Sequence, residues 1–149
     1  MNDLYNVSEV KLTYESNNKN KKKLKVNSSA KIYELMIKHW EQVEYRESFK
    51  ILLLDRANQA LGINTVSTGG LSDTTVDVRM ILQGALLANS SGIVCCHNHP
   101  SGNARPSFAD DVVTLKIKQA AKIMDIELID HLIITKYGYY SYADAGRLE

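Results

Sequence analysis

Apolar and polar residues alternate along this chain with periods that predict both helices and strands. Residues 28–43, SSAKIYELMIKHWEQV, begin with serines that can cap a helix and continue with an apolar stripe at helical spacing. A second stripe begins at Val78, and a third helix is predicted to begin at Ser107. The first stripe consists of Ile32, Leu35, Met36 and Val43, the second of Val78, Ile81, Leu82, Ala85 and Leu86, and the predicted buried face of the third helix of Val113, Ile117, Ala120 and Met124.

The strands are predicted from short apolar runs. FKILLLD and GIVCC are nearly continuous apolar runs of the kind found in buried strands. ALGINTVS follows the first run after a RANQ turn, so the two should form a hairpin. IELIDHLIIT and YYSYAD should form two last strands around Gly138. Helices interleaved with strands and followed by a hairpin favour a single α/β domain, with a mixed β-sheet flanked by helices.

One further strand is predicted near the N-terminus from alternation alone. VKLTY, from Val10 to Tyr14, alternates apolar and polar residues and should be half-buried. An exposed edge strand of this kind could pair with the same strand of a second copy of the chain, so the sequence leaves the oligomeric state, including a homo-oligomer, open.

Composition narrows the class of protein. The 149 residues are 44% hydrophobic and 23% charged, which is ordinary for a globular domain. No apolar run approaches the roughly 20 residues required to span a bilayer, and the N-terminus lacks the apolar region of a signal peptide. The adjacent Cys95 and Cys96 exclude a disulfide framework and favour a reducing compartment. We therefore expect a cytoplasmic protein without a membrane partner.

The net charge of +1 is uninformative, but five lysines are crowded into KNKKKLK, between Lys19 and Lys25. A solvated loop or hairpin tip accounts for them, and a contact with phosphate or an acidic partner is the alternative. Lysines without interleaved aromatic residues are weak evidence for nucleic-acid binding.

Candidate chemistry is concentrated in VCCHNHPSGNARPSFADD, residues 94–111. In extended backbone, residues i and i+2 point to the same side, so His97 and His99 should present both imidazoles to one point while Asn98 faces away. A Pro-Ser-Gly turn and a helix beginning at Ser107 can bring Asp110 back toward the imidazoles. Two histidines and a carboxylate leave a fourth tetrahedral position for water, as in catalytic zinc sites.

Each part of this pattern also has a purely structural interpretation. Ser-x-x-Asp at a helix start is a capping box, and histidines in a turn can bond to backbone or water. The joint spacing favours a metal site. Near it, Asn98 and Ser101 could orient a substrate, and His131 could support a ligand from behind. Cys95 and Cys96 should pack as small hydrophobic residues rather than bind the metal.

HNHPSGNARPSFAD resembles the JAMM signature, H-x-H-x7-S-x-x-D, of the JAB/MPN metalloprotease-like superfamily. HNHPSG, RPS, FKILLLDRANQALG and LIDHLIIT resemble blocks of its RadC-like branch, from about Glu47 to the C-terminus. The resemblance implies a cytidine-deaminase-like α/β fold that binds one Zn²⁺ per chain. His97, His99 and Asp110 would be the metal ligands, and Ser107 would assist the tetrahedral intermediate.

The resemblance also suggests a division of the chain. Residues 1–46 would form an N-terminal strand, a Lys-rich loop and a helix packed on the domain. Residues 47–149 would form the RadC-like JAB/MPN core of one structural domain.

The superfamily uses a glutamate upstream in sequence as general base, and a carboxylate suits that role beside an acidified water. Glu41, Glu44 and Glu47 are the candidates in this chain. Glu47 directly precedes an apolar strand, as the family's glutamate does, so we choose Glu47.

The resemblance implies a zinc-dependent metallohydrolase of metallopeptidase or isopeptidase type, acting on a peptide or isopeptide-like substrate. Zinc deaminases of bases are a poor match, because their H-x-E and P-C-x-x-C motifs are absent here. The alternatives are a DNA-repair-associated accessory protein and a zinc-binding module without turnover. Longer members carry a helix-hairpin-helix-type region that we do not find in this sequence, which weakens the expectation of DNA binding.

Overall fold

The fold is an α/β sandwich built on one mixed sheet. The computed structural model describes residues 7–17, 22–69 and 75–149. In these residues the elements are, in chain order, α1 (Ser29–Lys38), β1 (Ser48–Leu54), β2 (Ala60–Thr68), α2 (Val78–Leu87), β3 (Gly92–Asn98), α3 (Phe108–Ile123), β4 (Glu127–Thr135) and β5 (Gly138–Ser141). The strand order is β2-β1-β3-β4-β5. β3 and β4 are parallel and the other neighbours antiparallel, which confirms the predicted mixed sheet.

Apolar residues cover both faces of this sheet. On one face, which we call the α2/α3 face, Ile51 and Cys95 pack with Ile81 of α2 and Ile117 of α3. On the other, the α1 face, Val94 and its neighbours pack against α1. The central strand β3 is buried at every position, because both of its faces are covered. This explains why GIVCC reads as a continuous apolar run up to His97.

Three details of the predicted elements are wrong. Val10–Tyr14 is not a strand and its apolar side chains are exposed, because alternation alone supplies no hydrogen-bonding partner. Val43 lies beyond α1, which ends at Lys38. Met124 is exposed just after the end of α3, whose buried positions are Thr114, Ile117 and Ala121.

Part of the Lys-rich run, including Lys19 and Lys21, lies outside the described residues. Within the described part, Lys23 lies 3.5 Å from the Asp55 carboxylate and Lys25 forms a backbone bridge with Gln59. None of the helices in the described ranges is long and apolar enough to cross a membrane.

Candidate metal centre

The C-terminal end of β3 brings two histidines to the α2/α3 face. His97 lies in the strand and is 2% exposed, and His99 follows one residue beyond its end. Phe49 of β1 is paired directly with His97, and the two rings are stacked with a 4° interplanar angle and 5.9 Å between centroids. The sheet therefore holds the His97 ring from the side and leaves its Nε2 pointing out of the core.

Asp110 reaches these imidazoles from the first turn of α3. Its Oδ1 lies 3.1 Å from His97 Nε2, and its Oδ2 lies 3.3 Å from His99 Nε2. The same Oδ2 accepts a 2.8 Å hydrogen bond from the Ser107 backbone N–H, and Ser107 Oγ accepts from the Asp110 N–H. The capping box and the contact with the histidines are therefore both present. The cap is the local structure that aims the carboxylate.

Glu47 is the upstream glutamate that the structure brings to this cluster. It immediately precedes β1, and β1 runs antiparallel to β3 with Phe49 opposite His97. Two residues before Phe49, the chain therefore reaches the level of His99. Glu47 is buried, with Oε1 3.9 Å from His97 Nε2. Glu44 instead lies at the surface, 3.4 Å from Lys136.

The spacing of these atoms fits a small divalent cation. His97 Nε2 and His99 Nε2 are 3.0 Å apart, close to their two distances from the Asp110 carboxylate. A tetrahedral zinc site with Zn–N bonds of about 2.0–2.1 Å would separate neighbouring ligand atoms by about 3.4 Å. One ligand atom from each of Glu47, His97, His99 and Asp110 lies within 4.8 Å of the others. The donor set of imidazole and carboxylate is one that zinc uses in proteins.

The charges of the cluster are set by the contacts between its members. Burial disfavours ionisation of Asp110, but its close contacts with the His97 and His99 imidazoles outweigh burial and hold the pKa of the carboxyl well below its usual range. Burial also opposes protonation of His99, yet its contacts with Asp110 and Asn103 raise the pKa of this imidazole above its ordinary value. The site is thus an anionic carboxylate facing imidazoles, and a cation would compete with protons there.

Two residues beside the cluster have structural contacts. Asn98 Oδ1 accepts from the Ser48 N–H at 2.7 Å, and its Nδ2 donates to two backbone carbonyls, those of Val43 and Arg46, at 2.7 Å each. The suggestion that Asn98 orients a substrate is therefore wrong, because it points away from the cluster and holds the backbone that leads to Glu47. Ser101 is exposed, and its Oγ accepts from the Asn103 N–H.

The structure places His131 directly behind His97. His131 is fully buried, with Nε2 2.8 Å from His97 Nδ1 and Nδ1 2.6 Å from Thr114 Oγ1. Cys95 and Cys96 are free and fully buried, and burial raises the pKa of both thiols well above the ordinary value. Both cysteines therefore pack as small hydrophobic residues, as predicted.

Sequence reasoning missed Thr114 and Asn103. Thr114 lies four residues after Asp110, on the buried face of α3, and this spacing is the one signal that could have indicated it. The Asn103 contribution is a backbone carbonyl, which lies 2.8 Å from His99 Nδ1 and carries no signal in residue type.

A mixed five-stranded sheet with a His, His, Asp and Glu cluster at the end of its central strand defines an α/β protein of the JAB fold with a candidate metal centre. The family model of the RadC-like JAB domain matches residues 26–147. The chain belongs to this RadC-like JAB domain family. The match begins upstream of Glu47 and includes α1.

Several similar proteins carry the name UPF0758, which states no activity. The chain is 44% identical over 100 residues to a UPF0758 protein of Flavobacterium johnsoniae, covering 67% of this chain and 44% of the relative. It is 36% identical over 126 residues to one from Thermotoga maritima, covering 83% and 55%. It is 39% identical over 103 residues to UPF0758 protein YfjY of Escherichia coli, covering 69% and 64%. The chain thus spans about half the length of the curated relatives it matches.

Proposed function

We propose that this protein is a zinc-dependent hydrolase of metallopeptidase or isopeptidase type, with a peptide or isopeptide-like substrate. The observation that carries the proposal is the convergence of His97 Nε2, His99 Nε2 and the Asp110 carboxylate at 3.0–3.3 Å from one another, with Glu47 beside them. The buried Glu47 carboxylate is the feature that favours hydrolysis over mere metal storage.

The distances favour a catalytic centre over a structural one. His97, His99 and Asp110 form a close triangle, whereas Glu47 Oε1 lies farther out, at 3.9 Å from His97 Nε2. Structural zinc sites use four protein ligands, and catalytic sites use three and keep one position for solvent or substrate. The side chains of His99 and Asp110 are 17% and 13% exposed, so the triangle is open to solvent on that side.

Each residue then has a defined task. His97, His99 and Asp110 would hold the zinc ion, which when bound supplies Lewis acidity that polarises a carbonyl group and acidifies water. Glu47 Oε1 would accept a proton from the attacking water and later deliver it to the leaving amine. Ser107 Oγ accepts from the Asp110 N–H, and its own hydroxyl proton would stabilise negative charge on the substrate oxygen.

Zinc-loaded protein tested against a library of fluorogenic peptides and isopeptides checks this proposal. We expect turnover that needs zinc and that Glu47→Gln abolishes while one zinc per chain is retained. A chain that does not bind zinc would contradict the proposal, and so would equal turnover in the Glu47→Gln variant. Zinc binding without turnover of any substrate would contradict the hydrolase and support the alternative, a zinc-binding module without catalytic activity.

We also propose a cytoplasmic location for the protein. The free, adjacent and buried Cys95 and Cys96 support it, because unpaired thiols are characteristic of reducing compartments.

A further inference from the structure

A buried chain of polar contacts leads from the backbone of α3 to His97. Thr114 Oγ1 lies 2.6 Å from the Asp110 carbonyl oxygen and 2.6 Å from His131 Nδ1. His131 Nε2 lies 2.8 Å from His97 Nδ1. Thr114 is 3% exposed, His97 2% and His131 0%. The chain of contacts therefore lies inside the protein, on the side of the His97 ring that faces away from His99 and Asp110.

The number of protons available orients every bond in this chain. A backbone carbonyl only accepts, so the single hydroxyl proton of Thr114 goes to the Asp110 oxygen. Thr114 Oγ1 must then accept from His131, which places the proton of His131 on Nδ1. A neutral His131 consequently offers an acceptor at Nε2, and His97 donates to it from Nδ1.

The neutral form of His131 follows from its surroundings. The side chain is fully buried, and its two ring nitrogens contact a hydroxyl and another imidazole. A buried cation with no anionic partner at either nitrogen would be costly, so the neutral ring is the stable state. Neutral imidazole carries one proton, and the hydroxyl of Thr114 decides which nitrogen holds it.

His99 reaches the same state by a simpler route. Its Nδ1 lies 2.8 Å from the Asn103 carbonyl oxygen, which can only accept, so in the neutral ring Nδ1 carries the proton and Nε2 has the lone pair. With both histidines protonated at Nδ1, two lone pairs face each other across 3.0 Å. Two facing lone pairs need a proton or a metal cation between them, so this arrangement is ready for a cation.

We propose that Thr114 and His131 are positioning residues that fix the tautomer of His97, so that its Nε2 is ready to bind a metal. The inference rests on the proposed metal site, because the lone pair of His97 Nε2 would bind the metal there. Neither residue contacts the substrate. Both act through His97, as hydrogen-bonded residues behind metal-binding histidines do in general.

The first test needs only the metal-free wild-type protein. Long-range ¹H–¹⁵N NMR spectra of the histidine rings, recorded at a pH where the imidazoles are neutral, report which nitrogen of His97 is protonated. We expect the Nδ1–H form at His97 and at His131. A wild-type His97 protonated at Nε2 would overturn the inference, whether or not the protein binds zinc or hydrolyses anything.

The second test compares Thr114→Val with Thr114→Ser. Valine has the shape of threonine but no hydroxyl, so His131 loses the acceptor that sets its tautomer, whereas serine retains that acceptor. We expect Thr114→Val to lose the uniform Nδ1–H signal of His97 and to bind Zn²⁺ about 10–100-fold more weakly in competition with a chromogenic chelator. Thr114→Ser should keep the wild-type tautomer and an affinity within about threefold.

Equal tautomer and zinc affinity in Thr114→Val and wild type would overturn the inference, and so would equal losses in both variants. If no form of the protein binds zinc, the proposed function fails, while the spectra of the metal-free protein still decide the tautomer. If Thr114→Val does not fold, the wild-type spectrum alone decides it.

Discussion

Buried polar side chains on the two faces of the sheet differ in how their polar atoms are hydrogen-bonded. At the end of β3, Asn98 on the α1 face has its amide bonded to three backbone groups. His97 on the α2/α3 face has its Nδ1 hydrogen-bonded to His131, but its Nε2 faces two groups that can themselves accept, His99 Nε2 and the Asp110 carboxylate.

β4 shows the same contrast one strand away. Asp130 on the α1 face accepts from the Ser141 hydroxyl at 2.6 Å, the His131 N–H at 2.7 Å and the Ala143 N–H at 3.0 Å. Its neighbour His131 contacts His97 and Thr114 on the α2/α3 face. Asn98 and Asp130 on the α1 face are thus hydrogen-bonded within the protein and stabilise it. At the cluster, by contrast, the imidazole nitrogens and carboxylate oxygens are hydrogen-bond acceptors that face one another, and only protons or a cation between them can satisfy them.

The largest effect is expected from removing a cluster carboxylate. Asp110→Ala should abolish stoichiometric zinc, because two imidazoles alone are a weak site. It also removes half of the capping box, which costs about 1 kcal/mol of stability and should leave the protein folded. Metal analysis of the purified variant measures the loss.

Asp111→Ala is the matched control for Asp110→Ala. Asp111 is the next residue of α3, and its carboxylate contacts Arg147 at 2.7 Å and accepts from the Tyr142 hydroxyl instead of facing the histidines. Its zinc content should stay at one per chain. Retention of a full zinc complement by Asp110→Ala would show that this carboxylate is not a ligand.

Glu47→Gln should separate metal binding from turnover. The substitution keeps size and burial but removes the carboxylate that accepts a proton, so hydrolysis should fall about 10²–10⁴-fold while zinc stays bound. Glu44→Gln is the control, since Glu44 lies at the surface beside Lys136, and it should behave as wild type. Activity assays with parallel metal analysis measure both effects, and an equal loss in both variants would argue against Glu47 as the base.

Asp130→Ala should damage stability and leave the cluster intact. It leaves the Ser141 hydroxyl and two backbone N–H groups without their acceptor, at a cost of about 3 kcal/mol in the free energy of unfolding. Asparagine at this position keeps an acceptor oxygen and should cost much less. Urea unfolding measures the difference in the free energy of unfolding. If Asp130→Ala lost zinc and kept wild-type stability, Asp130 would belong to the metal site and would not be a stabilising residue.

The smallest effect expected is a pH dependence at Asp130. Burial raises the pKa of this carboxyl above its ordinary value, although hydrogen bonds from Ser141, Ala143 and His131 oppose the shift. The folded state thus binds the proton more tightly than the unfolded chain, so this contribution to stability is present below about pH 4 and is lost as the pH rises through the folded pKa. Wild type should lose stability relative to Asp130→Asn over that rise. A constant difference across urea titrations from pH 4 to 7 would contradict it.

Most of the secondary structure could be predicted because its causes are local. The apolar runs of β1 and β3, the turn between β1 and β2, and Ser107 at the start of α3 all depend on neighbours in the chain. The predicted strand at VKLTY is wrong because a strand needs a partner that alternation does not specify. The predicted burial of Met124 is wrong because the apolar stripe continues past the end of α3, where no core covers it.

The amino-acid sequence by itself determined the candidate ligand types and their spacing: His97 and His99 on one side of extended backbone, and a capping box that aims Asp110. The tertiary structure alone decided which glutamate joins them, because antiparallel pairing of β1 with β3 brings Glu47 to the level of His99. It also decided that Thr114 and His131 stand behind His97, since parallel pairing of β3 with β4 and packing of α3 against β4 create that contact. Residue spacing specifies contacts within a turn or a strand, and contacts between strands exist only after the sheet has formed.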